Sequence, residues 1–281
     1  MTPSMRQVVL CADDFGLTEG VSRGILDLAR MGRLSATSAM TNRPWWPRLG
    51  SELDASGGRL GIGLHLTLTL GEPLGAMRRL APGGVFPGLP EVMQAALLRR
   101  LPLDEIGAEI DRQLAAFETV RGQAPDFIDG HQHVHVLPGI RGRLLRALEE
   151  RGWATRVWLR DPSDRLGAIA RRRVAARKAL TVRVLATGFG RTARDAGFAV
   201  NEGFSGFSLF DPMRDTAADF EAYFAALGPR PVVMCHPGHV DADLARLDPV
   251  VEPRAREQAY LASGAFPGML QRRGAALASR P

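Results

Sequence analysis

Short apolar runs alternate with amphipathic helical segments along the 281-residue chain, and this alternation constrains the fold more than any other sequence feature. The first run, Gln7–Cys11, has the continuous apolar character of a strand buried on both faces. A predicted helix follows, which Thr18 can cap and which carries Val21, Ile25 and Leu28 on one face. Further strands are predicted at Leu34–Met40, Gly61–Leu70, Phe127–Asp129, Ala154–Leu159 and Pro231–Cys235. Repeating β-α units imply a mostly parallel sheet flanked by helices, so we expect one α/β domain over residues 1–281.

Helical spacing of apolar residues predicts further helices at Leu103–Val120, Leu144–Arg151, Ala217–Leu227 and Pro253–Leu261. Asp164–Leu185 is predicted as a single basic helix that contains Arg171, Arg172, Arg173, Arg177 and Lys178. Gly71–Pro102 is rich in glycine and proline and is predicted as a long loop, which could serve as a lid.

Composition excludes several classes of protein. A chain that is 45% hydrophobic and 23% charged has enough apolar surface to fold, which excludes disorder as its main state. Its only cysteines, Cys11 and Cys235, lie in apolar runs and suit a reducing compartment rather than a disulfide scaffold. No run approaches the roughly 20 apolar residues that span a bilayer, and the N-terminus lacks the features of a signal peptide. We therefore expect a cytoplasmic protein.

The charge balance of 36 basic and 30 acidic residues is weakly positive. Such a balance favours anionic partners, but the chain carries no recognisable nucleic-acid-binding module, and no nucleic-acid partner is expected. The basic helix is either a solvated surface or a peripheral contact with an anionic substrate or a membrane.

The six histidines and one pair of acids lie in or directly after the predicted strands. Asp13 and Asp14 follow the first strand, and the histidines form three clusters: His65; His131, His133 and His135; His236 and His239. Because the carboxyl ends of parallel strands face one side of a sheet, we expect these side chains to converge. Carboxylates and imidazoles together are ligands for a divalent cation such as zinc, manganese, cobalt or iron.

Local geometry decides how these residues could share a site. Neighbouring residues on an extended strand point in opposite directions, so Asp13 and Asp14 reach one pocket only at a bend. One of them could then bind a metal while the other remains free as a base. The alternation in His131–His135 predicts three imidazoles on one side of an extended segment. Each feature alone also fits a turn, a helix cap or a core histidine, and only the combination favours a hydrolytic metal site.

Four motifs resemble those of the YdjC-like (ChbG/HpnK) carbohydrate deacetylases, over about residues 6–270. They are Ala12-Asp13-Asp14-Phe15-Gly16-Leu17, Gly63-Leu64-His65-Leu66, Asp129-Gly130-His131-Gln132-His133-Val134-His135 and Met234-Cys235-His236-Pro237-Gly238. The segment Asn201–Phe207 is similar to a further family segment. The chain differs from the usual family pattern at Gly130, often serine or another small residue, and at Gln132, often histidine.

The resemblance implies a distorted (β/α) barrel and a metal-dependent hydrolase that removes acetyl groups from N-acetylated sugars. By motif position, Asp14, His65 and His131 would hold one divalent metal ion, magnesium or zinc, with manganese or cobalt as alternatives. Asp13 would be the general base and His236 the general acid. A homodimer is common among similar proteins.

The remaining expectations concern the substrate and the alternatives. We expect His133 and His135 to contact the substrate or to support the metal ligands, and Trp45, Trp46 and Arg160 to contact a sugar or an anion. The resemblance implies an acetylglucosamine-type oligosaccharide or glycolipid as the substrate, and chitin-type oligosaccharides, lipid-linked sugars and acetylated aminoglycoside-like compounds remain open. Alternative functions are a metal-dependent phosphoesterase, a non-catalytic sugar- or lipid-binding protein, and a basic nucleic-acid binder.

Overall fold

A sheet of parallel strands forms the centre of the molecule, as seen in a computed structural model that describes residues 5–56, 60–248 and 250–281. Residues Met1–Ser4, on which the signal-peptide expectation partly rests, lie outside the described residues. Eight strands lie side by side in one continuous sheet, and a ninth strand pairs with the first strand of the chain. Every strand pairing is parallel. The sheet curls into a half-barrel, which confirms the expected distorted barrel.

The strands are short except for the first. Their bounds are β1 Arg6–Phe15, β2 Ala36–Ala39, β3 Gly61–Leu66, β4 Phe127–Gly130, β5 Trp158–Leu159, β6 Ala199–Val200, β7 Phe204–Ser205, β8 Val232–Cys235 and β9 Ala275–Leu277. Eight of them follow the order β6-β5-β4-β3-β2-β1-β8-β7 across the sheet, and β9 pairs with β1. The first half of β1 pairs with β9, and its second half pairs with β2 and β8. Since β1 has neighbours on both sides and helices over both faces, its residues from Val8 onward are fully buried, as the continuous apolar run predicts.

Helices cover the sheet. Their bounds are α1 Glu19–Arg30, α2 Trp46–Leu49, α3 Leu89–Leu97, α4 Leu103–Arg121, α5 Ile140–Glu150, α6 Leu166–Arg172, α7 Ala176–Leu185, α8 Phe189–Asp195, α9 Thr216–Tyr223, α10 Leu244–Leu247, α11 Glu252–Ala262 and α12 Ala265–Arg272. Two 3₁₀ helices span Gly50–Ser56 and His131–Val136. The predicted cap of α1 is confirmed, because the Thr18 hydroxyl accepts a hydrogen bond from the Val21 amide. None of the described helices combines the length and the apolar character needed to cross a membrane.

The structure corrects several predicted elements and adds others. The stretch Gly71–Pro102 is not all loop, because α3 lies within it. The basic segment Asp164–Leu185 is two helices, since Arg173 and Ala175 adopt left-handed backbone angles (φ 60° and 46°) that end one helix before the next begins. The strand predicted at Ala154–Leu159 shortens to β5. The last helix and strand, α12 and β9, were not predicted.

Candidate active site

A cavity of about 610 Å³ opens at the carboxyl ends of the strands, where the sequence predicts the site. The charged and imidazole groups of the predicted site that line it are Asp13, Asp14, His65, His131, His133 and His236. Apolar side chains from several surrounding segments form much of the remaining wall, among them Leu89, Met93, Leu137, Val182, Leu185 and Phe207. The cavity wall therefore combines a cluster of ionisable side chains with apolar side chains.

A backbone kink brings the two adjacent acids to the same cavity. Asp14 has a left-handed backbone conformation (φ 71°), and the register between β1 and β2 shifts between Ala12 and Phe15. A non-glycine residue with positive φ is strained, although aspartate tolerates it better than most residues. The bend allows both carboxylates to line the cavity while both residues remain about 2% exposed.

Asp14, His65 and His131 form a compact group of ligand atoms. Asp14 Oδ1 lies 3.2 Å from His65 Nε2 and 3.1 Å from His131 Nδ1. One ligand atom from each of the three residues lies within 4.8 Å of the others. The two imidazoles belong to β3 and to the 3₁₀ helix after β4, so neighbouring parallel strands bring them together.

Hydrogen bonds to Asp129 and Ser38 orient the His65 ring. Its Nδ1 lies 2.7 Å from Asp129 Oδ1 and 3.0 Å from Ser38 Oγ. Because a carboxylate only accepts, Nδ1–H donates to Asp129 and Nε2–H of the protonated ring donates to Asp14 Oδ1; a metal ion bound here would take the place of the Nε2 proton. Burial lowers the pKa of His65, but Asp129, Asp14 and Asp13 outweigh burial and raise it to about 10. The same negative surroundings favour a cation between these ligand atoms, so the residues fit a divalent metal ion.

A buried arginine holds the other oxygen of Asp14. Arg254 Nη2 donates to Asp14 Oδ2 and to Asp248 Oδ2, both at 2.6 Å. Burial raises the pKa of Asp14, but the Arg254 guanidinium outweighs burial and, with hydrogen bonds from the two histidines, holds the pKa well below its usual range. Asp14 is therefore an anion with one oxygen occupied and Oδ1 directed at the imidazoles.

A second buried arginine, Arg160, holds Asp13. Its Nη1 and Nη2 donate to the two carboxylate oxygens of Asp13, each at 2.7 Å, and Nη2 also lies 2.5 Å from Asp129 Oδ2. The Arg160 side chain is completely buried and is absent from the described cavity wall, so in this structure it contacts carboxylates of the protein, and its predicted contact with a sugar or an anion stays a prediction. Burial raises the pKa of Asp13, but Arg160 outweighs it and holds the pKa well below its usual range. Arg160 thus keeps the Asp13 carboxylate ionised and fixes its orientation.

The predicted extended conformation of His131–His135 is wrong. This segment is a 3₁₀ helix in which Gln132 and His133 have left-handed backbone angles, so the three imidazoles diverge. His131 faces Asp14, and His133 lines the cavity against the rings of Phe204 and Phe207. His135 is fully buried, and its Nε2 donates to the Arg160 carbonyl at 2.7 Å. In this structure His133 therefore lies in the cavity wall and His135 lies outside it.

His236 lines the cavity beside the two acids. Its backbone N–H donates to Glu257 Oε2 at 2.6 Å, and Phe210 packs edge-on against its ring at 5.2 Å. Its Nδ1 has no hydrogen-bond partner among the described residues. Burial lowers the pKa of His236 to about 4 and raises the pKa of Glu257 to about 7. The imidazole is thus a neutral group placed where it can accept or transfer a proton.

The two adjacent tryptophans do not line the cavity. Trp46 is buried in the core, stacks on Phe117 at 5.0 Å, and donates from Nε1 to the Ala116 carbonyl at 2.9 Å. Trp46 is therefore in contact with the core and not with the cavity, and its predicted contact with a sugar stays a prediction. Trp45 packs partly against the core with the Arg48 guanidinium over its ring, and it is absent from the described cavity wall. The apolar character of this pair serves packing.

Sequence reasoning assigned no role to Asp129, Arg254, Glu257 or Asp248. Arg254 and Glu257 share a face of α11 at a spacing of three residues, and both are buried. Opposite charges on the inner face of a helix are a detectable signal, because long charged side chains are rarely buried without partners. Arg254 and its partner Asp14 lie 240 positions apart in the chain. No local pattern reveals such a pairing.

Known proteins resemble this chain over nearly its whole length. A family model described as YdjC-like protein matches residues 7–272. A chitooligosaccharide deacetylase of Klebsiella pneumoniae is 32% identical over 270 residues, which cover 96% of this chain and 96% of that protein. A chitooligosaccharide deacetylase of Citrobacter koseri is 31% identical over 275 residues, which cover 98% of each chain.

A solved structure shares the fold. It is a crystal structure from Enterococcus faecalis, of a protein named as a candidate for cellobiose-phosphate cleavage. The TM-score is 0.72 at 24% sequence identity, with 98% of this chain and 97% of that chain covered. At this level of identity the similarity establishes the common architecture of the two chains.

Proposed function

Because the chain belongs to the family of YdjC-like proteins, we propose that it is a carbohydrate N-deacetylase, which hydrolyses the acetyl amide of an N-acetylated sugar to acetate and a free amine. Two relatives that match nearly the whole chain are named chitooligosaccharide deacetylases. The observation that carries the proposal is the difference in surroundings between the two adjacent acids. Asp14 faces two imidazoles, whereas Asp13 faces the same cavity without sharing that cluster.

Asp14, His65 and His131 would hold one divalent metal ion. When bound, such an ion polarises the acetyl carbonyl and makes water more acidic. One carboxylate and two imidazoles are compatible with zinc, manganese and cobalt as well as magnesium, so metal identity is a matter for reconstitution. Arg254 occupies Asp14 Oδ2 and leaves Oδ1 as the ligand atom.

Asp13 acts as the proton acceptor in this mechanism. The Arg160 fork keeps its carboxylate ionised and fixed in orientation, so it can take the proton of a water that attacks the acetyl carbon. The low pKa of Asp13 makes it a weak base that releases the proton readily. Asp13 can therefore take a proton only from a water molecule whose own pKa has been lowered, as a bound divalent ion would do.

His236 supplies the proton that the departing amine requires. Its imidazole is neutral in the free protein, so it must gain a proton during the reaction before it can donate one. Breaking the C–N bond without protonation would release an amide anion, a very poor leaving group. The cycle balances because the proton that Asp13 takes from the attacking water passes to His236 and from there to the amine, while the remaining hydroxyl of the same water becomes part of the acetic acid that is released.

The substrate is proposed to be an acetylglucosamine-type oligosaccharide or glycolipid. His133 is the proposed substrate contact among the predicted residues, since it lines the cavity beside Phe207. We further propose that residues 1–281 form one domain, supported by the family match across residues 7–272. The buried free thiols of Cys11 and Cys235 support a cytoplasmic location. A homodimer and the lack of a nucleic-acid partner remain predictions.

Acetate release tests the function. The purified protein, reconstituted separately with zinc, manganese, cobalt and magnesium, is incubated with N-acetylated chitooligosaccharides, and acetate and free amine are quantified. We expect equimolar acetate and amine with at least one metal. Phosphate release from a model phosphoester without acetate from any amide would instead establish the phosphoesterase alternative. Sugar binding without turnover in every metal would establish the non-catalytic alternative.

A further inference from the structure

One segment carries a strong excess of positive charge. Residues 165–194 contain nine arginines and lysines and no aspartate or glutamate. The whole chain has a formal charge of only +6, so the rest of the molecule is net negative. This segment includes α6, α7 and most of α8. Part of its charge serves the fold, because Arg172 pairs with Asp164 at 2.7 Å, whereas Arg171, Arg173 and Arg177 are exposed.

Helix α7 exposes apolar side chains in the middle of this basic segment. Leu180 is 41% exposed and Val184 is 70% exposed. Together with Arg177 and Thr181 they follow the spacing i, i+3, i+4, i+7, so all four lie on one face of the helix. An exposed apolar stripe flanked by basic residues is the pattern of a helix that lies at a membrane interface.

The neighbouring loop extends the same surface. Lys178 joins α7 to the loop, because its Nζ donates to the Ser208 carbonyl at 2.8 Å and lies 4.7 Å from the ring centre of Phe210. In this loop Leu209 is 52% exposed and Met213 is 86% exposed. We call this surface the docking face; its residues are Arg171, Arg173, Arg177, Leu180, Val184, Leu209 and Met213.

The docking face borders the mouth of the cavity. Arg177, Thr181 and Phe210 line the cavity, and they belong to the same helix and loop as the exposed apolar residues. The same helix and loop therefore carry exposed apolar residues on the outside and cavity-lining residues on the inside. Concentrated exposure of apolar residues beside a binding site marks an interaction surface.

We propose that the docking face binds the surface of an anionic lipid bilayer. Basic residues there attract anionic headgroups, and the four apolar side chains insert at the headgroup boundary. A second copy of the chain is a poor occupant, because a two-fold contact would bring the same positive segment against itself. A nucleic acid would leave Leu180 and Val184 without a role. If the deacetylase function holds, docking sets the cavity mouth against the bilayer.

Sedimentation with lipid vesicles tests this binding without any assay of activity. The purified full chain is mixed with vesicles of phosphatidylcholine alone or of phosphatidylcholine with phosphatidylglycerol. We expect sedimentation with the anionic vesicles that weakens as salt rises, and little with the neutral ones. Absence of binding to anionic vesicles at low salt would overturn the proposal.

Two double variants separate the apolar and charge contributions. Leu180→Ser with Val184→Ser should weaken vesicle binding several-fold through loss of buried apolar area. Arg171→Gln with Arg173→Gln should weaken it about fivefold for each charge removed. Leu180 and Val184 are absent from the cavity wall, so acetate release from a water-soluble oligosaccharide should not change in the apolar variant.

Helix α1 provides matched controls, because it exposes Met31 together with Arg23 and Arg30. Met31→Ser, and separately Arg23→Gln with Arg30→Gln, should leave vesicle binding unchanged. Equal losses in control and docking-face variants would contradict a specific face. If the wild type is a dimer that the Leu180/Val184 variant dissociates, the surface is assigned to a second copy of the chain. If the protein binds DNA in a salt-sensitive way and this variant retains that binding, the surface is assigned to nucleic acid.

Discussion

Arg160 donates two parallel hydrogen bonds of 2.7 Å to the two carboxylate oxygens of Asp13, and both side chains are almost completely buried. A fork of this kind sets the position and the plane of the carboxylate, which a point charge cannot do. Asp13 is thereby oriented in the cavity independently of Asp14, whose carboxylate is held by a different arginine.

Replacement of Arg160 by lysine should keep the positive charge and lose the fork. We expect the turnover of acetylated oligosaccharide to fall about 100-fold, because a shift of about 1 Å in a catalytic group has that effect. Bound metal should be retained, since Arg160 touches none of the three ligands and the lysine charge can still pair with Asp129, whose other oxygen orients His65. Arg172→Lys alters another buried ion pair, with Asp164, and controls for loss of stability. Equal turnover in the two variants would contradict the positioning role.

Asp13→Asn and His65→Ala should separate catalysis from metal binding. The first variant should hold near-stoichiometric metal and lose about 10²- to 10⁴-fold in turnover, the usual contribution of a general base. The second should lose both metal and turnover, because it removes one of three ligands. Elemental analysis and acetate release on the same samples give both quantities. Full turnover by Asp13→Asn would show that the base is another group.

Arg254→Gln should weaken metal binding about 10- to 100-fold, because Asp14 would lose the partner that holds Oδ2. Competition with a metal-binding dye measures the affinity. Arg256 lies on the same helix, is exposed and pairs with Glu252, so Arg256→Gln is the matched control and should bind metal normally. Unchanged affinity in Arg254→Gln would mean that Asp14 needs no support from α11.

Acidification should destabilise the fold through His135. Burial lowers its pKa to about 4, whereas an unfolded histidine titrates near 6.5. Between these values the unfolded chain binds a proton that the native His135 does not, so the free energy of unfolding falls as pH drops. This contribution is about 2 kcal/mol between pH 7.5 and pH 5.

Urea denaturation of the wild type and His135→Gln at both pH values isolates this contribution. The glutamine amide can still donate toward the Arg160 carbonyl, but it does not titrate. We expect the loss of stability on acidification to be about 2 kcal/mol smaller in the variant. An identical loss in both proteins would show that His135 is protonated in the native state at pH 5.

The amino-acid sequence by itself determined the sheet and the polar residues at its edge. Apolar runs such as Gln7–Cys11 and the polar residues that follow them are local signals. Parallel pairing necessarily carries the ends of these strands to one side. For this reason Asp13, Asp14, His65 and His131 were predicted together and are found together in the cavity.

The tertiary structure alone decided what each side chain contacts. Arg160 and Trp46 carry groups that suit sugar recognition, yet long-range packing uses Arg160 to hold Asp13 and buries Trp46 against Phe117. Arg254 reaches Asp14 across most of the length of the chain. The physical reason is that strand and helix patterns depend on neighbours a few residues apart, whereas burial and charge pairing depend on partners that only folding brings within a few ångströms.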